Sequence, residues 1–145
     1  MNKLLTKLAI TAAAGGLLSL NPMAAQVSPT TPRATRVRII QGPELESASE
    51  YLTIVRWTTN NPGGSPVHYG VVHYGTSPKN LDQTAKSPIR LNPDRPSTIF
   101  RVRMEGLKRG VTYYYTIESE EANSKSDGAK STMKQFTIDR DRVGK

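Results

Sequence analysis

The chain has no cysteine, only two histidines, one tryptophan and two phenylalanines among its 145 residues. The missing cysteine excludes a disulfide framework, a thiolate metal centre, covalent haem attachment, a cysteine nucleophile and a lipid anchor on a new N-terminal cysteine. A domain made from this chain must hold together by burial alone. His68 and His73 lie five residues apart, so on a strand they face opposite sides and cannot share a metal. No Gly-x-Ser-x-Gly, P-loop or dinucleotide fingerprint occurs, and the carboxylates read as scattered rather than paired on one strand face. No catalytic residue, metal site or cofactor is expected.

Long apolar runs are missing with one exception. Lys3 and Lys7 precede an apolar stretch from Leu8 to Leu20, followed by Asn21-Pro22 and the small residues around Ala25. Positive residues, then an apolar segment, then small residues describe a secretory signal peptide. Thirteen residues interrupted by Gly15-Gly16 are short for a ~30 Å hydrocarbon core, so a membrane span is not expected in the mature protein. Residues 1–25 are therefore read as a signal peptide and 26–34 as a flexible Ser/Thr/Pro leader. Residues 35–138 are read as the folded domain and 139–145 as a charged tail. The destination is the periplasm or the medium.

Acidic residues are in the minority. Of the 20 basic residues Lys3 and Lys7 leave with the signal peptide, so 18 remain against 12 acidic ones, a net charge of +6. A basic exported protein is drawn to anionic partners.

What the chain does have is β-branched and aromatic residues in short runs, with no sustained helical period. "TRVRIIQ", "YLTIVRWTT", "VHYGVVHYG", "IFRVRMEGL", "VTYYYTIES" and "MKQFTID" alternate with turn-rich stretches such as "NNPGGSP", "LNPDRPS" and "NSKSDGAK". The spacing predicts an all-β, antiparallel sandwich of about seven strands. Alternation then sorts the faces. Val55 and Trp57 oppose Arg56, and Phe100, Val102 and Met104 oppose Arg101, Arg103 and Glu105; the apolar set is the inward one. Tyr113, Tyr115 and Ile117 share a face, which leaves Tyr114 outside.

A buried phenol needs a partner. Leu107 stands six residues before Tyr113 with Gly110 between them, the arrangement of a tyrosine corner. Here the chain resembles the fibronectin type III domain, an immunoglobulin-like Greek-key sandwich, although Arg109 stands where that turn commonly has proline. "YLTIVRWTT", "VVHYGTSPKNL" and "FRVRMEGLKRGVTYYYTIES" in this order are most similar to the fibronectin-like N-terminal domain of purple acid phosphatases, over about residues 35 to 138. The resemblance makes Trp57, Tyr74, Leu107, Tyr113 and Tyr115 structural residues. In such phosphatases a separate, larger domain carries the dinuclear metal centre, with ligands from GDxG-like and GNHE-like motifs that do not occur here.

Arg36, Arg38, Arg56, Arg101 and Arg103 all take the outward parity of strands that share one sheet in that fold. Two readings are open: a solvated face that resists aggregation, or a face that binds anions. The chain is accordingly expected to be a monomeric, non-catalytic binding or accessory module. Its partner would be a protein or an anionic envelope or extracellular polymer, and specific nucleic-acid recognition is not expected. The alternative is a detached phosphatase domain that contributes to phosphate-ester hydrolysis only beside a separate catalytic chain. The leader generates the first prediction: intact-mass measurement of exported material should find a chain that begins near Gln26, and retention of Met1 to Ala25 would refute export by cleavage.

Overall fold

The computed structural model of the chain describes residues 31–139, and the expected signal peptide lies outside them. Eight strands follow one another: β1 (Ile39–Ala48), β2 (Thr53–Asn60), β3 (Val67–Gly75), β4 (Gln83–Arg90), β5 (Ser97–Met104), β6 (Thr112–Glu121), β7 (Ser126–Lys130) and β8 (Lys134–Thr137). They form two antiparallel sheets. One has the order β1-β2-β5; the other has the order β4-β3-β6-β7, with β8 also paired to β6. No helix occurs among the described residues.

Two strands escape the pattern of β-branched runs. β4 is "QTAKSPIR", polar and with Pro88 inside it, and it is tolerated because β4 is an edge strand with only β3 beside it. β7 is "SDGAK", which composition reads as part of a turn, yet it pairs with β6 across a register shift. β1 also begins later than its apolar residues suggest. Arg36 and Arg38 precede it, and its pairing with β2 is interrupted by three register shifts.

The sandwich closes on the inward residues that alternation selects. Trp57 and Phe100 face each other across β2 and β5 and stack with ring centroids 5.3 Å apart; both are 1% exposed. Gly70 of β3 lies above this pair. A Cβ on Gly70 would stand 2.8 Å from Val102 and 3.0 Å from the Trp57 ring, so the opposite sheet can approach only because that side chain is missing. Tyr74, Tyr113, Tyr115, Phe136 and Ile138 fill the rest of the core from the second sheet. Tyr113 packs between Tyr74 and Phe136, with centroids at 6.3 and 5.7 Å.

The hydroxyl of Tyr113 accepts a hydrogen bond from the backbone N–H of Lys108 at 2.9 Å. Leu107 is buried beside it, and the Gly110 N–H donates to the Ile138 carbonyl at 2.7 Å, which ties the turn to the residue after β8. Burial raises the Tyr115 phenol above its ordinary value. Tyr114 is only half-buried on the outer face.

These contacts rank three substitutions. Trp57→Ala removes the largest side chain of a core with no covalent support and is expected to cost ~3–5 kcal/mol. Tyr113→Phe keeps the ring and loses one hydrogen bond, for about 1 kcal/mol. Tyr114→Phe should leave the denaturant midpoint nearly unchanged, and a larger loss at Tyr114 than at Tyr113 would reverse the assignment of faces.

Candidate functional site

The outward arginines do not form one surface. Arg56 and Arg101 are direct cross-strand neighbours on β2 and β5, with Arg103 two residues along. Each meets a glutamate: Arg56 pairs with Glu44 at 3.2 Å, Arg101 with both oxygens of Glu46 at 2.7 Å, and Arg103 with Glu105 at 3.1 Å. The Glu46 carboxylate raises the Arg101 guanidinium further above its ordinary value. Glu44 and Glu46 reach this face because β1 runs on through Ala48, alongside β2. Like charges placed opposite each other on β2 and β5 are thus separated by carboxylates from β1 and from Glu105, just after β5. Arg36 and Arg38 are elsewhere, on the exposed segment that leads into β1.

A second cluster is buried and was not legible as a site. His68 on β3 is the cross-strand partner of Glu121 on β6, and β7 folds back to bring Asp127 against both. The potential ligand atoms of these three residues lie within 4.8 Å of one another. His68 is fully buried and Glu121 is 2% exposed. The two carboxylates, scattered in sequence, therefore converge on one histidine, and Asp127 belongs to a strand rather than to a hydrophilic turn.

The wiring of the cluster defines its chemistry. His68 Nδ1 lies 2.9 Å from Asp127 Oδ2, and Nε2 lies 3.1 Å from the carbonyl oxygen of Gly63. A carbonyl only accepts and an ionised carboxylate only accepts, so this pair of neighbours favours the imidazolium, with a proton on each ring nitrogen. Desolvation pulls the His68 pKa down, but the hydrogen bond and charge of Asp127, the Gly63 carbonyl and the charge of Glu121 outweigh it and raise the pKa above the ordinary 6.5. Arg33 supplies the second cation. Its Nη1 lies 2.5 Å from Glu121 Oε1 and its Nη2 donates to Oε2 at 2.9 Å. Two cations balance two anions.

Position depends on the chain that precedes the first strand. Residues assigned by composition to the leader run along the β2–β3 turn: the Gly64 N–H donates to the Thr31 carbonyl at 2.7 Å and the Ala34 N–H to that of Pro62 at 2.9 Å. Gly64 has a φ of +76°, and a Cβ there would meet Glu121 Oε1 at 2.7 Å, so this turn requires glycine.

Ser119 makes the group look like a hydrolytic triad, but the order is wrong. Its hydroxyl donates at 2.6 Å to Asp127 Oδ2, the same oxygen that faces His68 Nδ1, and not to a ring nitrogen, while the other ring nitrogen faces a backbone carbonyl. No nucleophile is placed to lose a proton to His68. A divalent cation would have to expel Arg33 and take a proton from the imidazolium, so the donor set fits a charge-balanced lock better than a metal centre. His73, on the opposite face, contacts Glu118 at 2.6 Å and Thr84 at 3.2 Å. A carboxylate on one side and a hydroxyl on the other are both satisfied by a neutral ring.

The family model for the purple acid phosphatase N-terminal domain matches residues 45–138, from the middle of β1 to the end of the core. The chain belongs to that family. The matched segment of this purple acid phosphatase N-terminal domain includes every strand of both sheets except the start of β1. Arg33, Arg36 and Arg38 precede it. A comparison with curated proteins finds no match. Among solved structures, the sensor domain of the anti-sigma factor RsgI4 of Pseudobacteroides cellulosolvens aligns with a TM-score of 0.49 at 12% identity, over 76% of this chain and 94% of that one.

The lock makes stability depend on pH in a defined direction. A raised folded-state pKa contributes stability that is fully present below the unfolded value of 6.5 and is lost as pH rises through the folded value. The denaturant midpoint of the wild type should therefore fall from weakly acidic to alkaline pH. His68→Gln strands the buried Asp127 and is expected to cost ~3–5 kcal/mol. Denaturation series at several pH values check both, and the same downward slope in the His68→Gln protein would assign it to another group.

Proposed function

We propose that the chain is a non-catalytic accessory module of an exported protein, and that it binds an anionic polymer. The observation that carries this reading is that the family match fills one sandwich whose charged cluster is wired to hold the fold. His68 already donates both protons, Asp127 is shared with Ser119, and Glu121 is neutralised by Arg33. Nothing in that arrangement is poised to move a proton or attack a substrate. Excess positive charge supports the choice of partner, since it draws anionic chains at long range.

The family match favours one further reading, in which the module works beside a separate metallophosphoesterase chain and contributes to hydrolysis only by placing that chain or its substrate. In that case adding the module to such an enzyme would change its KM for phosphate esters. Under both readings the purified protein should release no phosphate from a phosphomonoester, with or without iron, zinc or manganese. Metal-dependent turnover that disappears in His68→Gln or Asp127→Asn would overturn the assignment and make the buried cluster an active centre.

A further inference from the structure

The sheet arginines are neutralised, but a second set of cations is not. The segment before β1 passes the free edge of β7, leaving a groove of about 330 Å³ between them. Arg36, Val37 and Arg38 form one wall, and Gly128, Ala129 and Lys130 the other. Among the described residues Arg36, Arg38 and Lys130 make no ion pair, and no carboxylate lines the groove. Two acids placed by register beside it are engaged: Asp127 is turned inward onto His68, and Glu118, the cross-strand neighbour of Lys130, is held by His73.

The geometry points to this groove as the binding site for a linear phosphate polymer, a deepening that rests on the reading of the chain as an anion-binding module. Three exposed cations along an open groove suit a repeating anion better than a single one. Each contact is screened by water and salt, and affinity comes from making several at once. Arginine forks and a lysine both suit tetrahedral oxyanions.

Two other occupants fit less well. No aromatic side chain lines the groove, so the bases of a single-stranded nucleic acid would find nothing to stack on. An acidic peptide would seek to extend the sheet at β7, but that edge is five residues long, carries a φ of +88° at Gly128 and pairs irregularly with β6. A short, kinked edge is a poor template for another strand. Open space beside Gly128, with no atom within 4 Å of where a Cβ would stand, leaves room for a chain without side groups.

Two triple variants with the same net charge test the site. The groove variant carries Arg36→Ser, Arg38→Ser and Lys130→Ser; the sheet-face variant carries Arg56→Ser, Arg101→Ser and Arg103→Ser. Asn60 is bonded by the backbone of Arg36 and Arg38, not by their side chains, so the groove variant leaves those bonds in place. Binding of inorganic polyphosphate by the full chain is measured against salt, with oligothymidylate and polyglutamate as comparison polymers. The groove variant should bind polyphosphate at least ~10-fold more weakly, and its slope of log affinity against log salt should be about 2 shallower than that of the wild type. The sheet-face variant should stay close to wild type. Equal losses in the two variants would make binding a matter of net charge and overturn the groove while leaving an anion-binding module. A wild type that holds none of the three polymers would overturn both. Tighter binding of oligothymidylate or polyglutamate would reject an unsubstituted polyphosphate chain as the occupant.

Discussion

With no disulfide between its sheets, this sandwich depends on how closely they approach at Gly70. That glycine lets β3 settle onto the stacked Trp57–Phe100 pair and Val102, and the aromatic cluster of Tyr74, Tyr113, Tyr115 and Phe136 packs on the same interface. Polar groups then close the two ends. Near the C-terminal end of β3 the Tyr113 hydroxyl takes the Lys108 N–H, and near its N-terminal end His68 joins β3, β7 and the β2–β3 turn. One end is closed by a neutral hydrogen bond and the other by four charges in balance.

The same molecule handles its surplus of positive charge in two ways. On the three-stranded sheet each outward arginine is matched with a glutamate, so that face has little net field and its ion pairs, exposed to water, add little to stability. Beside β7 the cations have no such partners, and Asp127 on β7 and Glu118, opposite Lys130 on β6, are both committed to histidines. Cations without an ion pair thus gather where the preceding segment meets a sheet edge. Arg33, Arg36 and Arg38 all lie N-terminal to the segment matched by the family model, so the lock and the groove both draw on chain outside it.

The core was largely legible because a strand writes its two faces into alternate residues. Val55, Trp57, Phe100, Val102, Met104, Tyr113, Tyr115 and Ile117 could be assigned inward from parity, and all are buried. β4 and β7 were not legible. An edge strand has one neighbour and tolerates Pro88, while a five-residue strand with a glycine has too little pattern to show. Parity also separated His68 from His73 but was silent on what each would meet, since Glu121 and Asp127 reach His68 only through the pairing of β3, β6 and β7.

Sequence by itself thus determined the fold class, the family likeness, the inward residues and the excess of basic over acidic groups, because these follow from local periodicity, short spacings and composition. Tertiary structure alone decided which charges became partners. It brought Glu44 and Glu46 to the sheet arginines, Arg33 and Asp127 to the His68 end, and left Arg36, Arg38 and Lys130 together without an acid. Electrostatic energy depends on distance and solvent exposure rather than on separation along the chain, so the same inventory of charges can give a neutral face, a buried lock or a cationic groove.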